Sequence, residues 1–183
     1  MERTLQANAR MTGRMAHTSL LRGLGWGLIG GLAGTMIMDL GIMGALSAVG
    51  LPALTCFSIV GNTVARFFSI QSMEMARTIQ MGIATIHLVG PVIGAIFGMA
   101  VVRVEALRVN TLKKCILLAI LCVEIMSQPL LATTPVLLKM TEPATLQWYG
   151  GSFIMHLLMA VVLGSIVGYG LRLAPLATQR RAQ

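Results

Sequence analysis

The stretch that decides the fold is T-I-H-L-V-G-P-V-I-G-A-I-F-G, residues 85–98, in which a histidine precedes a series of glycines within an apolar run. A closely similar arrangement recurs as M-H-L-L-M-A-V-V-L-G-S-I-V-G at residues 155–168. Each stretch belongs to a longer apolar run, and about 20 mainly apolar residues suffice to cross a bilayer as a helix. The two stretches therefore predict spanning helices that place a histidine inside the membrane.

The composition of the whole chain also indicates a membrane protein. Of 183 residues, 56% are hydrophobic and 11% charged, and the mean hydropathy is +0.81. A soluble domain of this length carries about 25% charged residues. The net charge of +8 is spread over short segments between apolar runs, without a nucleic-acid-binding motif or a cluster of stacking aromatics. We expect membrane lipid as a partner and no nucleic acid.

Four apolar runs have the length of a span, and backbone polar groups in lipid must pair within a segment, so all four are predicted to be helices. The predicted spans are about 24–49, 79–102, 115–138 and 149–171. A further amphipathic helix at about 54–70 is expected at the membrane interface or tucked over the mouth of the bundle. The predicted fold class is an all-α integral membrane protein, a four-transmembrane-helix bundle.

The basic residues predict the orientation of this bundle. Cytoplasmic segments of membrane proteins carry an excess of Lys and Arg. Eleven of the 14 basic residues fall in the segment 1–23, the link between spans two and three, and the tail 172–183. We expect a multi-pass protein of the cell inner (cytoplasmic) membrane, with both basic terminal segments in the cytoplasm.

The two halves of the chain look related. G-A-I-F-G at 94–98 matches G-S-I-V-G at 164–168, and His87 matches His156. Each half would be an out-and-back pair of spans, so the halves share one orientation. The interpretation is two related helical hairpins arranged as a parallel pseudo-repeat.

Small residues recur every three or four positions along three of the spans. Such stripes let helix backbones approach closely in lipid. The predicted helix-packing positions are Gly27, Gly31, Gly34, Gly90, Gly94, Gly98, Ala160, Gly164 and Gly168.

Four ionisable residues lie within the predicted spans, namely Asp39, His87, Glu124 and His156. Counted from the span ends, Asp39 and His87 lie at equal depth and are expected to meet, whereas Glu124 lies deeper than His156. One interpretation is structural, with the pairs acting as polar glue and no cofactor bound. The alternatives are a haem b held by His87 and His156, a metal ion held by all four side chains, and a proton or ion path.

The pattern resembles an uncharacterised family of small four-helix prokaryotic integral membrane proteins. These open with a G-x-x-G-T-x-x-M signature and carry a histidine early in spans two and four. The residues that carry the resemblance are G-L-A-G-T-M-I-M at 31–38, S-I-V-G at 58–61, H-L-V-G-P-V-I-G at 87–94 and H-L-L-M-A-V-V-L-G at 156–164. The resemblance covers roughly residues 24–171 and implies the architecture, with no activity attached.

Two functions are consistent with these observations. The first is an accessory or structural subunit that packs with other integral-membrane subunits, or with copies of itself, and has no catalytic chemistry. It fits the short loops and the absence of phosphate-loop, nucleophile-elbow and zinc-protease motifs. The alternative is a cofactor- or ion-handling membrane protein that uses His87 and His156, supported by Asp39 and Glu124.

Overall fold

The structure, a computed structural model, describes residues 2–70, 74–104, 107 and 111–180, and this part of the chain forms five α-helices without a β-strand. They are α1 (Glu2–Ala48), α2 (Thr55–Phe67), α3 (Met75–Arg103), α4 (Leu112–Leu138) and α5 (Glu142–Arg180). The side chains of residues 1–19 and 172–183 lie outside the described part, and so does Arg108. Most of the basic residues that predict the orientation therefore lie outside it.

Four of the helices are long and apolar enough to cross a membrane, which confirms the predicted all-α, four-span helix bundle. The spanning stretches are Leu20–Ala48, Met75–Arg103, Leu112–Leu138 and Glu142–Leu171. The fourth begins seven residues earlier than the sequence predicts. The parallel pseudo-repeat stays a prediction.

α1 packs against α3 through glycines on both helices. A Cβ added to Gly31 would lie 2.5 Å from the carbonyl oxygen of Gly90, and one added to Gly27 would overlap the carbonyl oxygen of Gly94. The same close approach continues one turn further, where Gly98 lies against the backbone of α1. These glycines let the two backbones touch, as small residues do at helix interfaces in lipid.

A second glycine face of α1 packs against α5. A Cβ on Gly34 would lie 2.8 Å from the carbonyl oxygen of Met159, and one on Gly30 would lie 2.9 Å from Cδ1 of Leu163. Gly30 and Gly31 follow one another in the chain and point to different neighbours. α1 therefore lies between α3 and α5 in the bundle.

The hairpin of α4 and α5 is built differently. Ala160 is fully buried, and a Cβ on Gly164 would lie 2.7 Å from Cα of Ile116 on α4. A Cβ on Gly168 would lie 2.9 Å from Cδ1 of Leu112. α4 contains no glycine, so only α5 supplies glycines to this interface.

α2 packs between the beginning of α3 and the end of α4, and we call this the α2 end of the bundle. Gly61 of α2 and Gly82 of α3 are in backbone contact with the facing helix, and Thr63 Oγ1 donates to Thr134 Oγ1 of α4 at 3.2 Å. Phe57 is 3% exposed. α2 is thus inserted into the bundle and does not lie flat on its surface.

Candidate functional site

The first pair of ionisable side chains joins α1 to α3. His87 Nε2 lies 3.5 Å from Oδ2 of Asp39, as the sequence predicts for two residues at one depth. The other ring nitrogen of His87, Nδ1, donates to the carbonyl oxygen of Ile83 at 3.1 Å. The Asp39 side chain is 8% exposed and that of His87 37%.

These contacts determine which ring nitrogen of His87 carries a hydrogen. A carbonyl oxygen only accepts, so Nδ1 of His87 carries a hydrogen. A neutral ring would then turn the bare lone pair of Nε2 toward the carboxylate of Asp39. The contact is favourable only when one further proton lies on Nε2 or on Oδ2. With that further proton, the Asp39–His87 pair would have zero net charge.

The second pair joins α4 to α5. His156 Nδ1 lies 3.7 Å from Oε2 of Glu124 and 3.1 Å from Oγ of Ser127. Ser127 Oγ donates its hydrogen to the backbone carbonyl oxygen of Glu124 at 3.0 Å, so it accepts from Nδ1–H of His156. When the His156 ring is neutral and Glu124 is ionised, the second pair carries one negative charge. One extra proton, on Glu124 or on the ring, would make the pair neutral.

The sequence predicts different depths for Glu124 and His156, whereas the structure brings them together because α5 starts earlier than predicted. α5 begins at Glu142 rather than near residue 149, so His156 lies about 14 residues from the helix start (156 less 142). Glu124 lies about 14 residues from the end of α4 at Leu138 (138 less 124). At 1.5 Å per residue the two are equally deep.

The carboxylates are poorly supplied with hydrogen bonds. Both side-chain oxygens of Asp39 and Oε1 of Glu124 are buried without a hydrogen-bond partner among the described residues. The two histidine contacts, at 3.5 and 3.7 Å, are longer than the 2.7–2.9 Å of a charge-assisted hydrogen bond. Each carboxyl group thus lies near its histidine without a hydrogen bond of normal length, and its oxygens can still accept hydrogen bonds.

Two adjoining cavities lie next to these pairs at the α2 end, and together we call them the chamber. The small compartment, about 70 Å³, is lined by Ser127, Ser152 and His156 together with apolar side chains. The large compartment, about 320 Å³, is almost entirely apolar and open on one side. The side chains that line both compartments are Ile42, Cys56, Trp148, Ser152 and Met155.

Cys56 brings a thiol to the wall of the chamber. Burial raises the pKa of the Cys56 thiol to about 11, and the negative charge of Asp39 adds to the rise. Cys56 lies near the first pair, while His156 of the second pair lines the same compartment. The chamber therefore adjoins both carboxylate–histidine pairs.

The arrangement does not fit the haem or the metal hypothesis. The four ionisable side chains form two separate pairs, and within the described residues no three His, Cys, Asp or Glu side chains converge on one point. Both ring nitrogens of His87 are engaged inside its own hairpin. α1 lies between the two histidine-bearing helices, α3 and α5.

Trp148 is a site residue that is not among the candidates predicted from the sequence. Its Nε1–H donates to the carbonyl oxygen of Leu131 at 3.2 Å. In a regular helix this carbonyl would accept from the amide of residue 135, but Pro135 has no N–H. The free carbonyl is predictable from the proline. The indole N–H that donates to this carbonyl comes from another helix, and no spacing rule in the sequence identifies Trp148 as the donor.

Comparisons with protein-family models, with curated proteins and with solved structures find no match for this chain. The class defined by fold and site is a helical bundle of multi-pass membrane type, with two carboxylate–histidine pairs beside a chamber. The resemblance to a four-helix prokaryotic family stays a prediction.

Proposed function

We propose that this is a multi-pass protein of the inner membrane whose two carboxylate–histidine pairs bind and release protons from the outer side. The observation that carries the proposal is that each hairpin holds a carboxylate within 3.7 Å of an imidazole, buried in Asp39 and half-buried in Glu124, with buried oxygens that have no hydrogen bond. Ionisable groups inside a membrane are functional candidates by default. Of the alternatives that the sequence leaves open, this one uses the contacts as they stand.

The energetics favour a proton-exchanging pair over polar glue. A buried pair that serves only to hold helices is expected to have good geometry and satisfied oxygens, because desolvation is otherwise not offset. Here the distances are long and three oxygens are unpaired. An ionised Asp at the centre of a bilayer costs about 2.5–3.5 kcal/mol on insertion scales. That cost favours the neutral, one-proton state and still permits reversible loss of the proton.

The proposal includes an orientation, with the α2 end outside and both terminal segments in the cytoplasm. Support comes from the basic residues, of which eleven of 14 fall in the segments 1–23 and 172–183 and in the link between the second and third predicted spans. A reporter active only in the cytoplasm, fused after residue 183, should be active, and one inserted at Gly50 should be silent. The opposite pattern of reporter activity would contradict the proposed orientation and would place the α2 end on the cytoplasmic side.

Infrared spectroscopy of the protein in lipid nanodiscs tests the proton exchange. Changing the pH should change the C=O band of protonated carboxyl groups, and Asp39→Asn and Glu124→Gln should each remove part of that change. Glu142→Gln, at an exposed position at the start of α5, is the matched control and should leave it intact. A pH response that both pair variants retain in full would refute the proposal, provided the variants elute like the wild type.

An accessory-subunit role is the second candidate, favoured by one observation. α4 exposes an uncovered apolar stripe, with Leu117, Leu121 and Ile125 each at least 57% exposed. Lipid or another subunit can cover this stripe. Mass measurement of gently solubilised particles should show an assembly much larger than the 19.5 kDa chain if a subunit covers it. A monomeric particle would contradict this role and leave the proton exchange standing.

A further inference from the structure

The chamber has the composition of a binding site for a small molecule. Ligand sites are mostly apolar cavities of about 300–1,000 Å³ with a few placed polar groups. The large compartment, at about 320 Å³, meets that size and has an almost entirely apolar wall. Ser152 lines both compartments; Thr55 and Gln147 line the large one, and Ser127 and His156 line the small one. The polar share of the wall is thus larger in the small compartment than in the large one.

We propose that the chamber binds a neutral amphipathic alcohol, with its hydroxyl head in the small compartment and its aliphatic body in the large one. This goes beyond the proposed proton exchange, because it concerns a ligand and rests on the cavities rather than on the carboxylates. Its polar contacts would be with His156 and Ser152, and its apolar contacts with the side chains of α1 and α2 that line the large compartment.

The head group follows from the hydrogen bonds already made. Nδ1 of His156 is engaged with Ser127, and within the described residues Nε2 has no hydrogen-bond partner. On a neutral ring Nε2 accepts, and on a charged ring it donates. A hydroxyl group does both, so it matches either protonation state of His156, and it also pairs with the hydroxyl of Ser152. A carboxylate head would instead face the nearby carboxyl group of Glu124.

The body follows from the size and wall of the large compartment. Taking about 30 Å³ for each water-sized group, 320 Å³ holds about ten methylene groups. Two methionines, Met140 and Met155, line the wall, and flexible thioether side chains adapt to an aliphatic chain. An alcohol of about ten carbons is therefore the probe of choice.

Trp148 gives a direct readout, because it lines both compartments and a bromine atom nearby quenches its fluorescence. Protein in lipid nanodiscs, which avoids competing detergent, is titrated with 10-bromodecan-1-ol and, in parallel, with 1-bromodecane. We expect saturable quenching by the alcohol, with an apparent affinity at least threefold above that of the bromoalkane. Quenching that rises linearly and equally with both compounds would reflect partition into lipid and would overturn the proposal.

Substitutions within the chamber locate the binding. Ser152→Ala should weaken the bromo-alcohol about three- to tenfold, the loss expected for one hydrogen bond. Ser165→Ala, the same change about 13 residues further along α5 (165 less 152) and outside the chamber lining, is the matched control and should leave the affinity unchanged. Ala45→Phe should fill the large compartment and abolish saturable quenching. Unchanged binding in both Ser152→Ala and Ala45→Phe would refute the site.

The outcomes separate the two proposals. The bromo-alcohol titration reads the cavity, whereas the infrared titration reads the carboxyl groups of Asp39 and Glu124. Loss of alcohol binding with an intact carboxyl response would leave the proton exchange in place. An unresponsive carboxyl spectrum with saturable alcohol binding would leave a ligand-binding membrane protein without proton exchange.

Discussion

The glycine contact between α1 and α3 makes a quantitative prediction for Gly31→Ala. The added Cβ would lie 2.5 Å from the carbonyl oxygen of Gly90 and 2.9 Å from Cα of Pro91. Ordinary van der Waals contact begins at 3.4 Å, so the helices must separate locally by about 0.9 Å (3.4 less 2.5). A gap of 0.5–1 Å forfeits about a quarter to a half of each neighbouring dispersion contact. We expect a loss of about 1–3 kcal/mol, the usual cost of overpacking.

Gly25→Ala is the matched control, because the same helix carries Gly25 with nothing within 4 Å of its added Cβ. Replacing Gly by Ala inside a helix stabilises by about 0.5–1 kcal/mol when the site has space. The two variants should therefore differ by about 1.5–4 kcal/mol in opposite directions. Both are measured by titrating the protein from mild detergent into SDS and following helix content and tryptophan fluorescence. Equal unfolding midpoints for the two would refute the close packing of α1 on α3.

The hydrogen bond from Trp148 to the Leu131 carbonyl should contribute about 0.5–1.5 kcal/mol, so Trp148→Phe should lower the SDS-unfolding free energy by that amount. In a Pro135→Ala background, where a new amide satisfies the same carbonyl, the loss should shrink; equal losses would mean that the indole bond is not stabilising. The Cys56 thiol, with its pKa raised from 9.0 to about 11, should react with iodoacetamide at about pH 8 roughly a hundredfold more slowly than in the SDS-unfolded chain, since only the thiolate reacts. Comparable rates would contradict its burial. Because the folded pKa is the higher one, the stability that protonated Cys56 contributes is complete below about pH 9 and is lost as the pH rises through about 11, a slope that Cys56→Ala should flatten.

Most of the fold is predictable from the sequence because its signals are local. Spans follow from apolar length, and the contact of Asp39 with His87 follows from counting residues from the span ends. The contact of Glu124 with His156 was misjudged because α5 extends to Glu142 through a segment that is only moderately apolar. Hydropathy detects the apolar core of a helix. It does not locate the end of the helix, because backbone hydrogen bonds continue into the membrane interface.

The chamber could not be predicted from the sequence. It depends on α2 entering the bundle between α3 and α4, whereas amphipathic spacing alone is equally typical of a helix on the surface. The position of α1 is a similar case. The adjacent residues Gly30 and Gly31 lie against different helices. A stripe of small residues in the sequence does not indicate how many helices pack against it.

The position of α1 has a consequence for biosynthesis. Gly34 contacts Met159, which is added to the nascent chain about 125 residues later (159 less 34). At about 5–20 residues per second, that face of α1 stays open to lipid for roughly 6–25 seconds after it is made. During this interval the α1–α3 hairpin exposes the surface of α1 that later packs against α5. A chain whose synthesis stops before α5 keeps this surface of α1 exposed. The segment that is complementary to it is α5 of a complete neighbouring chain.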